Sequence, residues 1–150
     1  MRSIVAVLFA LSVAGCGGTS GGGQHGLSSS LECVPYARQV SGVQLYGNAA
    51  DWWDNADGRY AKGSDPVPGG VLVLRQTGRL PYGHVAVVRS QQSAREITVD
   101  QANWVHHRIT TGEPVIDVSP ANDWSAVRVW WDPSNSMGAT TYPAFGFIAP

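Results

Sequence analysis

The sequence is poor in charge, poor in cysteine and without a long apolar run. Only 14% of its 150 residues are charged, and the formal net charge is -1. That balance provides no basic patch to neutralise phosphates, so a nucleic-acid partner is not expected. The longest apolar stretch, Ile4 to Ala14, is too short to cross a bilayer as a helix. With only two cysteines, Cys16 and Cys33, at most one intramolecular disulfide can form. No internal repeat is visible, and no cofactor is expected. What is present is 43% hydrophobic residues, enough for one sizeable core, together with 18 glycines, 9 prolines and 6 tryptophans. Such a composition suits many turns between short strands.

The first residues have the layout of an export signal rather than of a folded element. "MRSIVAVLFALSVAGC" begins with one arginine, continues through the apolar stretch and ends on small residues directly before Cys16. "VAGC" resembles the lipobox of bacterial lipoproteins, which implies cleavage before Cys16 and acylation of its thiol. Two acyl-bearing groups on one residue hold a membrane far more firmly than a single chain. The alternative is an ordinary secretory signal with a chance cysteine. The resemblance implies an exported, lipid-anchored protein facing the periplasm or cell wall. Gly17 after the cysteine, in place of an aspartate, implies outer-membrane sorting where two membranes exist.

A lipidated Cys16 leaves Cys33 unpaired, and an unpaired thiol in an oxidising compartment is a liability unless it is used. The rival is a Cys16–Cys33 disulfide, which would staple a leader rather than a core. Residues 17–30 continue as "GGTSGGGQHGLSSS", nearly all Gly and Ser, a flexible tether with a reach of about 20 Å. His25 within it reads as a solvated linker residue. The expected organisation is therefore a signal over 1–15, a lipidated cysteine and tether over 16–30, and one catalytic domain over 31–150.

Within the domain, helical signals come first and strand signals follow. Leu31, Val34, Ala37 and Val40 recur at three-residue steps, with Ser30 as a candidate N-cap, and this places Cys33 in the first helical turn. "NAADWWDNADGRY", residues 48–60, reads as a second helix with its tryptophans mostly in the core. Strands are expected over 70–76, 83–91, 96–104 and 126–132, with two short pieces in "HRITTGEPVIDVS". The aromatic end "YPAFGFI" reads as a segment packed back on the sheet, or alternatively as a wall of a substrate groove. This order predicts an α+β fold with N-terminal helices packed on an antiparallel β-sheet.

A cysteine at a helix N-terminus meets partial positive charge and unpaired N–H groups, which favour thiolate. It needs a base. Of the four histidines, His84 opens a strand, whereas His106 and His107 sit together after one and lack the spacing of a metal pair. Pairing residues 83–92 with 95–104 around a turn between Ser93 and Ala94 sets His84 opposite Asn103, with Gln101 diagonal on the same face. A one-residue slip would lose that geometry. Cys33 as nucleophile, His84 as base, and Asn103 or Gln101 as the group that orients the ring form a coherent set for attack on an amide carbonyl. A hydrogen-bonded structural histidine remains the plain alternative for His84.

Taken in order, "ECVPYAR", "DPVPGGVLVL", "GHVAVV" and "VDQANW" resemble the CHAP family of cysteine, histidine-dependent amidohydrolases/peptidases, within the papain-like NlpC superfamily. The resemblance implies a papain-like fold, catalytic Cys33, His84, Asn103 and Gln101, and amide cleavage in peptidoglycan by an amidase or endopeptidase. A thiol amidase or transferase acting on a non-murein substrate and a non-catalytic wall-binding lipoprotein are the alternatives. Two positions depart from the family pattern. Gln101 stands where many members have an acid, so it can orient an imidazolium but cannot offset its charge. Gly70 stands where an acid often follows the glycine of the "PxPGD" segment. With neither acid present, no metal site is expected.

Overall fold

A computed structural model describes residues 31–150. The signal, the lipidation position Cys16 and the Gly/Ser tether lie outside the described residues. Two short helices, α1 (Cys33–Ser41) and α2 (Trp52–Asn55), precede eight strands: β1 (Lys62–Gly63), β2 (Val71–Leu74), β3 (His84–Ser93), β4 (Glu96–Ala102), β5 (Ile109–Asp117), β6 (Ala126–Trp131), β7 (Ser136–Met137) and β8 (Tyr142–Ile148). Neighbours run antiparallel in the order β1-β8-β2-β3-β4-β5-β6-β7. β8 also pairs with β6, through Ala126 opposite Pro143 and Val127 opposite Tyr142.

That second pairing overturns the expected fold class. The chain is not an assembly of N-terminal helices packed on a sheet in the papain-like manner, but mostly a closed antiparallel β-barrel carrying two short helices. The reason lies in the two ends of the domain. The aromatic C-terminal segment is a full strand that joins β2 on one side and β6 on the other, closing the sheet and leaving only the two-residue strands β1 and β7 as edges. The stretch 48–60 keeps only four helical residues, the rest being turns that include Gly58 at φ +70°.

Strand alternation then sorts the apolar residues into two layers. Leu72, Leu74, Ala86, Val88, Ile97, Val99, Val115, Val127, Val129 and Phe147 form one core. Val71, Val73, Val85, Val87 and Ile148 face the other way, against Ala37, Val43, Leu45 and Trp52 from the helical segment. Trp52 is fully buried, and Trp53 stacks on Phe145 at 5.6 Å between centroids, so this pair of tryptophans serves packing. "HRITTGEPVIDVS" holds one strand rather than two pieces, accommodated by positive φ at Gly112.

The β3–β4 hairpin turns one residue later than expected, around Ala94 and Arg95, since Ser93 pairs with Glu96. Two register shifts in β3, between Val88 and Ser90 and between Gln91 and Ser93, correct the offset, so Val88 faces Val99 and Val87 faces Asp100. The inner end therefore has the register expected from the sequence.

Gly83 connects this hairpin to the helical layer. Its φ is +73°, and a Cβ there would fall 2.7 Å from the Leu74 carbonyl oxygen and 2.8 Å from the Ala50 backbone nitrogen. Gly83→Ala is expected to destabilise the fold by about 2 kcal/mol or more through strain and overpacking, read as a lowered thermal midpoint. An unchanged midpoint would show that the turn before His84 adapts freely.

Candidate active site

α1 begins at Cys33 itself. Its N-cap, Glu32, has extended backbone and makes no side-chain cap, which leaves the first-turn N–H groups open. At the other end Gly42, in the left-handed conformation, donates its N–H to the Arg38 carbonyl and stops the helix. The backbone N–H groups of Val85, Val34 and Cys33 act on the Cys33 thiol in the direction of thiolate. Even so, burial pushes the thiol pKa above its ordinary value; the Val85 N–H opposes this and the Glu32 carboxylate reinforces it. The helix terminus supplies the expected stabilisation of thiolate, but desolvation is larger.

His84 begins β3 with the parity of Ala86 and Val88, the face turned toward the barrel core. It is 4% exposed. Trp104 covers it, with ring centroids 4.9 Å apart, and is held by its own Nε1–H donating to the Trp130 carbonyl at 3.1 Å. His84 Nε2 lies 2.9 Å from Gln101 Oε1. An amide oxygen can only accept, so Nε2 carries the ring proton and Nδ1 has the lone pair. Burial holds the His84 pKa at about 4, with the Gln101 hydrogen bond acting in the opposite direction.

Cys33, Glu32, Gly83, His84 and Asn103 line one cavity of about 300 Å³ with Arg79 and Tyr82. An adjacent cavity of about 420 Å³ shares Arg79 and is walled by Trp104, Trp131 and Tyr142. Of the C-terminal aromatics, then, Tyr142 borders this second space, while Phe147 belongs to the core.

Of the two groups expected to orient His84, Gln101 is the one in contact with it. Asn103 lies at φ +61°, donates its Nδ2 to Glu32 Oε2 at 2.8 Å and accepts the His107 N–H at 2.8 Å. It ties the β4–β5 loop to the residue before Cys33. Two carboxylates went unnoticed in the sequence. Glu32 could have been suspected as the neighbour of Cys33. Glu113 had no local signal: on β5 it accepts Gln101 Nε2 at 2.6 Å and the Thr110 hydroxyl at 2.6 Å. His106 and His107 stack on each other at 3.9 Å between centroids. Among the described residues, no three His, Cys, Asp or Glu side chains are grouped to hold a metal. A Cβ at Gly70 would lie 2.9 Å from the carbonyl oxygens of Val67 and Ile148, so the backbone leaves no space for a side chain there.

A family model matches much of the chain. The model of the CHAP domain matches residues 23–103, more than half of the chain. The chain belongs to the CHAP family. No curated protein sequence matches it. Two crystal structures of Ly7917, one with the hydrolyzing product of MDP, are similar at 16% and 17% identity and TM-scores of 0.42 and 0.43. Each alignment covers 81% of this chain but only 54% and 55% of the Ly7917 chain, so the CHAP protein described here spans about half the length of that neighbour.

Burial of neutral His84 makes stability depend on pH. Above pH 6.5, the ordinary histidine value, the ring is neutral folded and unfolded. Between 6.5 and about 4 the unfolded chain takes up a proton that the folded one refuses, so stability falls as pH falls. The loss from this residue should approach about 3 kcal/mol by pH 4. Urea titrations at pH 7 and pH 4.5 should show it, and His84→Gln should reduce the difference between them; an identical difference would assign the acid sensitivity elsewhere.

Proposed function

We propose that this protein is a cysteine amidohydrolase that cleaves an amide bond of peptidoglycan, at the sugar-peptide junction or within the stem peptide. The observation that carries the proposal is the shared cavity of Cys33 and His84, in which the ring's Nε2–H is taken by Gln101 and its Nδ1 is left to act as base. Membership of the CHAP family supports the same chemistry.

In the proposed reaction His84 Nδ1 accepts the Cys33 proton as sulfur attacks the amide carbonyl carbon. The carbonyl electron pair moves to oxygen, where the Cys33 backbone N–H stabilises it. Collapse breaks the C–N bond, and the His84 imidazolium gives its proton to the leaving amine, forming a thioester. Water, deprotonated by His84, then releases the acid and restores the thiol. With the thiol pKa raised and the histidine lowered, the resting pair is neutral, and the proton moves as attack proceeds. Arg79, on the border of both cavities, is positioned to attract a carboxylate of the stem peptide. Lipid attachment at Cys16 and the Gly/Ser tether would keep the domain near the wall, in the periplasm or facing the cell wall.

Digestion of purified sacculi by the full chain should release fragments that Cys33→Ala does not release, and their masses identify the bond. Identical fragment patterns would reject the peptidoglycan hydrolase and leave thiol chemistry on a non-murein substrate or a wall-binding lipoprotein. Alkylation of Cys33 by iodoacetamide separately tests the neutral pair. Its rate should stay below that of a free cysteine and climb by about tenfold per pH unit from pH 6 to 8, because the thiol remains largely protonated throughout that range. A plateau extending below pH 6 would instead reveal a preformed thiolate-imidazolium pair.

A further inference from the structure

The polar chain behind His84 does not stop at Gln101. Gln101 is 1% exposed and Glu113 is 6% exposed, and the amide bridges the two: its oxygen to the ring, its nitrogen to the carboxylate. A glutamine amide is ambiguous, since turning it by half a revolution exchanges donor and acceptor while preserving its shape. The turned amide would present N–H to His84 Nε2, and the ring would then have to carry its proton on Nδ1. That tautomer offers Cys33 a donor where the proposed reaction needs an acceptor. Something must select between the two orientations, and His84 cannot, because either tautomer satisfies its hydrogen bond.

We propose that Glu113 is a positioning residue that selects the His84 tautomer by fixing which way the Gln101 amide faces. An ionised carboxylate has no proton to give, so the oxygen of a turned Gln101 would meet another acceptor at hydrogen-bond range. Thr110, three residues earlier on the same strand, donates to the same oxygen, Oε2, and holds the carboxylate in place. The other oxygen, Oε1, is buried without a partner among the described residues, so the protein's donors to this carboxylate converge on Oε2. The acid that many relatives are expected to carry beside the histidine is in this chain displaced by one amide: the ring meets a neutral group, and the charge lies behind it on β5. Neutral Gln101 therefore does not leave the base unassisted.

This inference rests on the proposed hydrolase chemistry, and the experiment separates the two. Histidine side-chain nitrogen spectra of the full chain at neutral pH should show His84 protonated at Nε2. Glu113→Gln, which can offer either an oxygen or an N–H to Gln101, should give a mixture of tautomers and lower kcat on sacculi by about twofold, the share lost to the wrong tautomer, with KM nearly unchanged. The swap Q101E/E113Q returns a carboxylate to the ring and should restore the single tautomer and kcat even where Glu113→Gln alone folds poorly. A wild-type His84 protonated at Nδ1, a folded E113Q with wild-type tautomer and kcat, or a folded swap still impaired would each overturn the role of Glu113. The tautomer is read without substrate. Spectra that change as expected in a protein that releases no fragments from sacculi would support the role of Glu113 and refute the hydrolase reading instead.

Discussion

The pairing of β3 with β4 is the constraint on which the site depends. His84 and Gln101 lie on neighbouring strands, and alternation places both on the core face only while Val88 opposes Val99 and Val87 opposes Asp100. A slip of one residue would turn Gln101 away and bring Asp100 or Ala102 to the ring. The register is secured by burial from both layers, since Ala86, Val88, Ile97 and Val99 enter one core while Val85 and Val87 enter the other. The outer half of β3, exposed and polar, is where the two irregularities are tolerated. Packing energy thus fixes the functional end and lets the turn find its own geometry.

What the sequence revealed follows the same division. Cys33 at the start of α1, the strands containing "GHVAVV" and "EITVD", and the inner register were all legible, because local periodicity and side-chain alternation determine them. The turn position was off by one residue and the register survived, since the bulges cancelled the error. Barrel closure was not legible. Whether β8 ends a sheet or joins its two sides depends on twist accumulated over many strands, which no window of residues records. Glu113 was invisible for a related reason: its meaning arises from β5 lying beside β4, and "TTGEPV" by itself reads as a solvated strand.

The helix terminus shows how a correct local principle can be outweighed. Open N–H groups from Val34 and Cys33, joined by that of Val85, favour a thiolate, yet the same packing that brings Val85 to the sulfur withdraws the thiol from water. Desolvation acts on the whole charge, whereas each N–H offers a fraction of one. The pair of shifts is consistent: burial favours a protonated Cys33 and an unprotonated His84, so the resting pair is neutral.

A neutral resting pair places a particular demand on the surroundings of the base. In a preformed ion pair the histidine carries protons on both nitrogens, and its tautomer has no meaning. In a neutral pair the ring has one proton and two places to hold it, so the distribution between them sets how much of the protein is competent to accept a proton from sulfur. Gln101 without Glu113 would leave that distribution nearly even. The burial that removes charge from the proposed catalytic pair is therefore the same condition that makes a second, more distant carboxylate useful. Under that condition the Gln101-Glu113 pair supplies ring orientation and tautomer without placing a charge against the imidazole, an arrangement suited to a base that works from its neutral form.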